Sequence, residues 1–263
     1  MSTREINQAK PKKSGSVFPT THWTVINALK QVNHEDKESL FVDFVEQYTP
    51  AFRYHLIYGR GCTQEADLDD LIQGFLSDKF VFKNILDYVH EDKGRLRDYL
   101  RRCLDNYVYE QHRSKSSAAW DKRVSWEEFA SEPAGAEASE TVCPFDVGWA
   151  KTVMTEAIIR TKDQFFHSQR QHVWDVFDLC IVRPLFTEVQ AVPYEKLAEQ
   201  LGLSKKAVQN RRVSALRAFG KHLTAVIAEY VGNDSQLIDA EVAELNQIMR
   251  SEAFQEAREE HSK

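Results

Sequence analysis

Apolar residues recur at helical spacing over long stretches of the chain, which predicts an all-α protein. A first helix is expected over 20–30 (TTHWTVINALK), with Thr21 as its cap. A second runs from about 38 to 58 through Leu40, Phe41, Phe44, Val45, Tyr48, Phe52, Leu56 and Ile57. Pro50 is expected to kink or split it, and Gly59 and Gly61 to end it. The next helix, about 64–79, has its apolar positions at Leu68, Leu71, Ile72, Phe75 and Leu76; its acids Glu65, Asp67, Asp69 and Asp70 suit a positive helix N-terminus. Over 94–113, Leu96, Leu100, Cys103, Leu104 and Tyr107 form a buried stripe, while Arg102, Asn106, Tyr109 and Arg113 share a different face. Periodicity stops over 125–146, where acids, Ala, Ser and Pro mix as in a flexible linker. It returns over 147–182, Pro184 interrupts it, and a further amphipathic helix covers about 239–250.

Between these lies the most specific pattern, YEKLAEQLGLSKKAVQNRRVSALRAFGKHL over 194–223. Two short helical patterns flank Gly202, as in a helix-turn-helix. Ala198 is small where the helices cross, Gly202 takes the sharp turn, Val208 anchors the second helix, and Ser204 is its N-cap. Lys205, Lys206, Arg211, Arg212, Arg217 and Lys221 follow, with no acid between 203 and 223. A helix of that charge suits a major groove lined by phosphates.

Composition changes this picture little. The net charge of −6 looks wrong for a nucleic-acid binder, but its distribution is uneven. The segment 93–123 carries Lys93, Arg95, Arg97, Arg101, Arg102, Arg113, Lys115, Lys122 and Arg123 against four acids, whereas acids gather in 125–146 and after 224. Cys62, Cys103, Cys143 and Cys180 are scattered without a CxxC pair, and no HExxH occurs among the nine histidines, so no metal site or cofactor is expected. No nucleophile–base constellation suggests an enzyme. No run is long enough to cross a bilayer and no signal-peptide pattern is visible, which points to the cytoplasm.

Taken in order, these strings resemble the bacterial RNA polymerase sigma factors of the extracytoplasmic-function type. Asp70-Leu71-Ile72-Gln73 with Phe75-Leu76 is similar to the family's region 2.2, and Gly94-Arg95-Leu96-Arg97-Asp98-Tyr99-Leu100 to the start of regions 2.3 and 2.4. Val192-Pro193-Tyr194-Glu195-Lys196-Leu197-Ala198 and Leu201-Gly202-Leu203-Ser204 resemble region 4.2. Thr21-His22-Trp23-Thr24-Val25 and Phe145-Asp146-Val147-Gly148-Trp149-Ala150 look like strings of a subgroup abundant in planctomycetes and acidobacteria. The chain departs from that subgroup at Leu216-Arg217-Ala218, where a run of arginines is usual, and at Arg212, where an apolar residue is usual.

The resemblance implies two small helical domains joined by a flexible acidic linker: a disordered segment 1–19, a region 2-like domain 20–123, a linker 124–146, a region 4-like domain 147–231 and a helical tail 232–263. It implies a non-catalytic promoter-recognition subunit whose partners are the β′ subunit of core RNA polymerase and promoter DNA. An anti-sigma factor is a further partner class, although no binding element for one is legible. Asp69, Asp70, Gln73 and Phe75 would dock on β′. Arg102, Asn106, Tyr109 and Arg113 would hold a melted strand, where flipped bases need aromatic faces and the backbone needs cations. Ser204, Lys205, Lys206, Gln209, Asn210 and Arg211 would meet a duplex near its base edges, and Arg217 and Lys221 its phosphates. An acidic linker can mimic nucleic acid in a positively charged channel. Two rivals remain: a helix-turn-helix regulator acting without polymerase, and a degenerate sigma-like regulatory protein.

Overall fold

The computed structural model describes residues 34–83, 85–88, 96–115, 142–186, 190–231 and 234–259. Expectations for the segment 1–19, the helix 20–30, Lys93 to Arg95 and the acidic segment up to residue 141 lie outside the described residues. Among the described residues every regular element is helical. In chain order these are α1 (His34–Arg60), α2 (Glu65–Phe75), a π-helical turn Leu76–Phe82 and a 3-10 turn Ile85–Tyr88. Then come α3 (Leu96–Lys115), α4 (Pro144–His167), α5 (Gln171–Phe177), a π-helical turn Asp178–Val182 and α6 (Arg183–Phe186). The chain closes with α7 (Tyr194–Leu201), α8 (Lys205–Val231), α9 (Ser235–Arg250) and α10 (Glu252–Glu259).

Four local expectations are corrected. Pro50 does not split α1, because Phe44, Tyr48, Ala51, Phe52 and Leu56 are buried on both sides of it and tertiary packing outweighs one missing N–H. Residues 144–146, expected in the linker, form the first turn of α4: Pro144 sits where a missing N–H is harmless, and the Asp146 carboxylate accepts from the Cys143 N–H at 3.3 Å. The helical period over 147–182 is broken at Ser168–Arg170. Pro184 lies inside helical backbone, preceded by the π-turn in which the Arg183 N–H bonds to the Asp178 carbonyl. The wider turn is a common way for a helix to take up a local misfit.

The main core gathers residues from far along the chain. Phe44, Tyr48, Phe52 and Leu56 of α1, Leu68 and Phe75 of α2, and Leu100 and Leu104 of α3 pack with Phe145, Trp149 and Val153 of α4. Val226, Ile227 and Tyr230 of α8, Leu245 and Ile248 of α9, and Phe254 of α10 complete the same cluster. The approach of α1 and α4 is close: a Cβ on Gly148 would lie 2.7 Å from Tyr54 Cβ and 3.0 Å from Ala51 Cα.

The helix-turn-helix corner keeps two small clusters of its own. Val176 and Cys180 pack with Leu197, Ala198 and Val208, and Phe165, Val173 and Phe177 pack with Ala215. Two long helices therefore serve both places. The first part of α4 lies in the main core and its Phe165 in the corner; α8 begins in the corner and ends in the main core. Arg160 of α4 ties them side by side, donating to Glu156 at 2.7 Å and to Glu229 at 2.8 Å.

One buried cation joins segments remote in sequence. Arg97 of α3, only 5% exposed, donates to Glu241 at 2.7 Å, pairs with Glu244, and lies 3.7 Å from Asp146. Its guanidinium stacks over the Trp149 ring at 4.1 Å. Arg97 thus adds nothing to the surface charge of the 93–123 segment. The tail helix α9 is fastened to both α3 and α4 through it.

Candidate nucleic-acid interface

The turn between α7 and α8 forms as its residue types dictate. Gly202 takes a left-handed conformation (φ 62°, ψ 37°). The Leu203 N–H returns to the Ala198 carbonyl at 2.8 Å and the Gly202 N–H to Glu199 at 3.3 Å, a Schellman turn that satisfies the last carbonyls of α7. Ser204 Oγ accepts from the Ala207 N–H at 3.2 Å, capping α8. Leu197, Ala198 and Val208 are buried beneath the turn.

α8 then sets its side chains apart by face. Residues spaced i, i+4, i+7, i+11 and i+15 line one side of a helix. Lys206, Asn210, Val213, Arg217 and Lys221 have that spacing, and all five are exposed. Ser204, Lys205 and Gln209 are also exposed. Lys205 is paired with Glu195 of α7, whose carboxyl is held below the usual carboxylate range by the hydrogen bond from that ammonium. Arg211 falls off the stripe and is half-buried. Arg212, also half-buried, lies close enough to Cys180 for its charge to oppose the upward push of burial on that thiol. Nothing in the sequence marks Val213 for this face. Its 44% exposure puts an apolar side chain in the middle of the polar stripe, and only the phase of α8 reveals it.

The face expected for a melted strand is partly open. On α3, Tyr109 is 67% exposed, while Arg102 and Asn106 are half-buried. The Arg113 side chain lies outside the described residues. Tyr107 is buried, as its stripe position implies.

The expected docking face on α2 is corrected at one residue. Asp69, Asp70 and Gln73 are exposed, and Arg53 bridges Asp69 and Glu65. Phe75 is 0% exposed: its ring meets Phe52 and Phe80 edge-on at 5.3 and 5.5 Å, so it serves the core and offers no surface to a partner. Apolar surface lies a little further on, where Val81 and Phe82 are exposed, Phe82 by 78%. The run Phe80-Val81-Phe82 gives no sign of this, because its three apolar residues look alike and only Phe80 turns inward.

Other chemistry is sparse. Among the described residues no group of three or more His, Cys, Asp or Glu side chains is placed to hold a metal ion, and no helix is long and apolar enough to cross a membrane. No protein-family model, curated protein or solved structure matches the chain.

Proposed function

We propose that the chain is a promoter-recognition subunit of the sigma-factor type, which binds core RNA polymerase and directs transcription initiation. The observation that carries this reading is the exposed stripe Lys206, Asn210, Val213, Arg217 and Lys221, on a capped helix with no acid from 200 to 228. Lys206, Arg217 and Lys221 supply cations for phosphates. Asn210 and Gln209 offer amide edges suited to adenine, and Val213 an apolar contact for a thymine methyl. On α3, Tyr109 offers an aromatic face to an unstacked base, with Arg102 and Asn106 beside it. Asp69, Asp70 and Gln73 on α2 form an acidic face suited to a basic helix of the β′ subunit.

A second reading is favoured by the shared core. Residues of α1–α3 and of α4 and α8 are buried together, so the α3 and α8 faces belong to one body. A DNA-binding regulator that works as a single unit, without polymerase, fits that arrangement.

In vitro transcription with core RNA polymerase and a promoter library separates the two. The first reading expects polymerase-dependent transcripts. They should be lost in a Lys206→Ala, Arg217→Ala variant that still binds core polymerase, and lost together with polymerase binding in an Asp70→Ala, Gln73→Ala variant. Tight, site-specific duplex binding with no transcript at any promoter would transfer the case to the second reading.

A further inference from the structure

The turn between α4 and α5 repeats the geometry of the helix-turn-helix corner with different residues. The Arg170 N–H bonds to the Phe165 carbonyl at 2.8 Å and the Gln169 N–H to Phe166 at 3.1 Å, again a Schellman turn. The residue in the left-handed position is Gln169, at φ 55°. For a side chain other than glycine that conformation is disfavoured by roughly 1–2 kcal/mol. The strained residue throws Arg170 back over α4, where its guanidinium lies 5.5 Å from the centre of the Phe165 ring.

From there Arg170 donates to Ser214 Oγ at 3.1 Å, on the flank of α8 between Asn210 and Arg217. It is nevertheless exposed. Among the described residues this is its only side-chain hydrogen bond, so most of its donors face water. The contact joins two stretches that carry no acid at all, 164–174 and 200–228. The first adds His167, Arg170 and His172, all exposed. The nearest acids in sequence, Asp163 and Asp175, stand at its two ends.

We propose that this turn is a second contact for duplex DNA: Arg170 binds a backbone phosphate at the lip of the groove that α8 enters. The inference rests on the reading of α8 as a duplex-binding helix. Stacking on Phe165 and the bond to Ser214 fix the guanidinium before binding, so little freedom is lost when a phosphate arrives. Such a contact positions the protein along the duplex without reading its sequence.

The test is binding of the full chain to a fluorescein-labelled, random-sequence duplex of about 30 base pairs, titrated between roughly 50 and 200 mM KCl. Arg170→Gln removes the charge and retains a donor for Ser214. It should lower the slope of log affinity against log salt by about 0.9, the share of one phosphate contact. Arg170→Lys should restore the slope, and Ser214→Ala should leave it unchanged. Arg250→Gln neutralises an exposed arginine at the far end of α9 and should also leave it unchanged. A wild-type slope in Arg170→Gln, or an equal drop in Arg250→Gln, would overturn the inference while the reading of α8 stands. If the wild-type chain fails to bind the duplex even at the lowest salt, the reading of α8 falls, and this inference with it.

Discussion

At Gly202 the backbone alone sets the cost of substitution. A Cβ there would meet nothing within 4 Å, so sterics between side chains play no part. Gly202→Ala must instead hold an alanine at φ 62°, which costs about 1–2 kcal/mol. Denaturant titration should show that loss. A loss far smaller would mean the turn relaxes to negative φ and α8 changes its angle. Asp105 makes a different demand. Burial would push its carboxyl up, but hydrogen bonds from His55 and Arg60, both at 2.7 Å, outweigh burial and hold it below its ordinary value. A carboxyl depressed in the fold binds its proton more readily in the unfolded chain. Its stabilisation is therefore present above the ordinary carboxylate range and is lost as pH falls through the folded value. The urea midpoint of the wild-type chain should fall below about pH 4, and Asp105→Asn should show a shallower acid limb. An identical limb in both proteins would assign the acid loss to other carboxylates.

Among the elements, α1 and α4 are set by a missing side chain. Gly148 lies against Ala51 and Tyr54, and the nearest obstacles to a methyl group there are a backbone Cα and a Cβ, neither of which can swing aside. Gly148→Ala should push the helices apart and cost about 1–3 kcal/mol, read as a lower melting temperature. Ala51→Gly combined with it would leave the Cα in place and should recover little. The elements themselves were largely legible, because Leu96, Leu100, Cys103, Leu104 and Tyr107, or Leu197, Ala198 and Val208, are buried as their spacing requires. What stayed hidden has identifiable causes. The break at Ser168–Arg170 carries neither Gly nor Pro, since Gln169 takes the left-handed position itself. Pro50 and Pro184 mislead in the opposite direction, since packing and a π-turn absorb them. In the candidate site, the helix-turn-helix and its basic residues could be read directly, but the sorting of Lys206 and Arg217 from Arg211 depends on the phase of α8 against the core. The inward turn of Phe75 depends equally on what packs around it. Arg170 could not be found at all by reading along the chain, because its partner Ser214 is 44 residues away.

On the scale of the whole molecule, Arg97 decides how the tail is held. Three carboxylates, Asp146, Glu241 and Glu244, surround one guanidinium, and Trp149 covers its face. Removing the cation leaves like charges together in a half-buried space with nothing to offset them. Removing one member of a buried pair typically costs 3–5 kcal/mol; all three acids keep some access to water, so about 3 kcal/mol is the expected loss for Arg97→Ala. Two mechanisms contribute: uncompensated charge, and the cavity left beside Trp149. They separate in a triple variant. Adding Glu241→Gln and Glu244→Gln to Arg97→Ala removes the repulsion but not the cavity. Recovery of stability in the triple variant would show that charge fastens α9; no recovery would show that the packed guanidinium does. The same proteins test the joint between α9 and α3 directly. With charge as the fastening, Arg97→Ala should expose the segment after residue 231 to limited proteolysis well before the remainder unfolds, and the triple variant should protect it again.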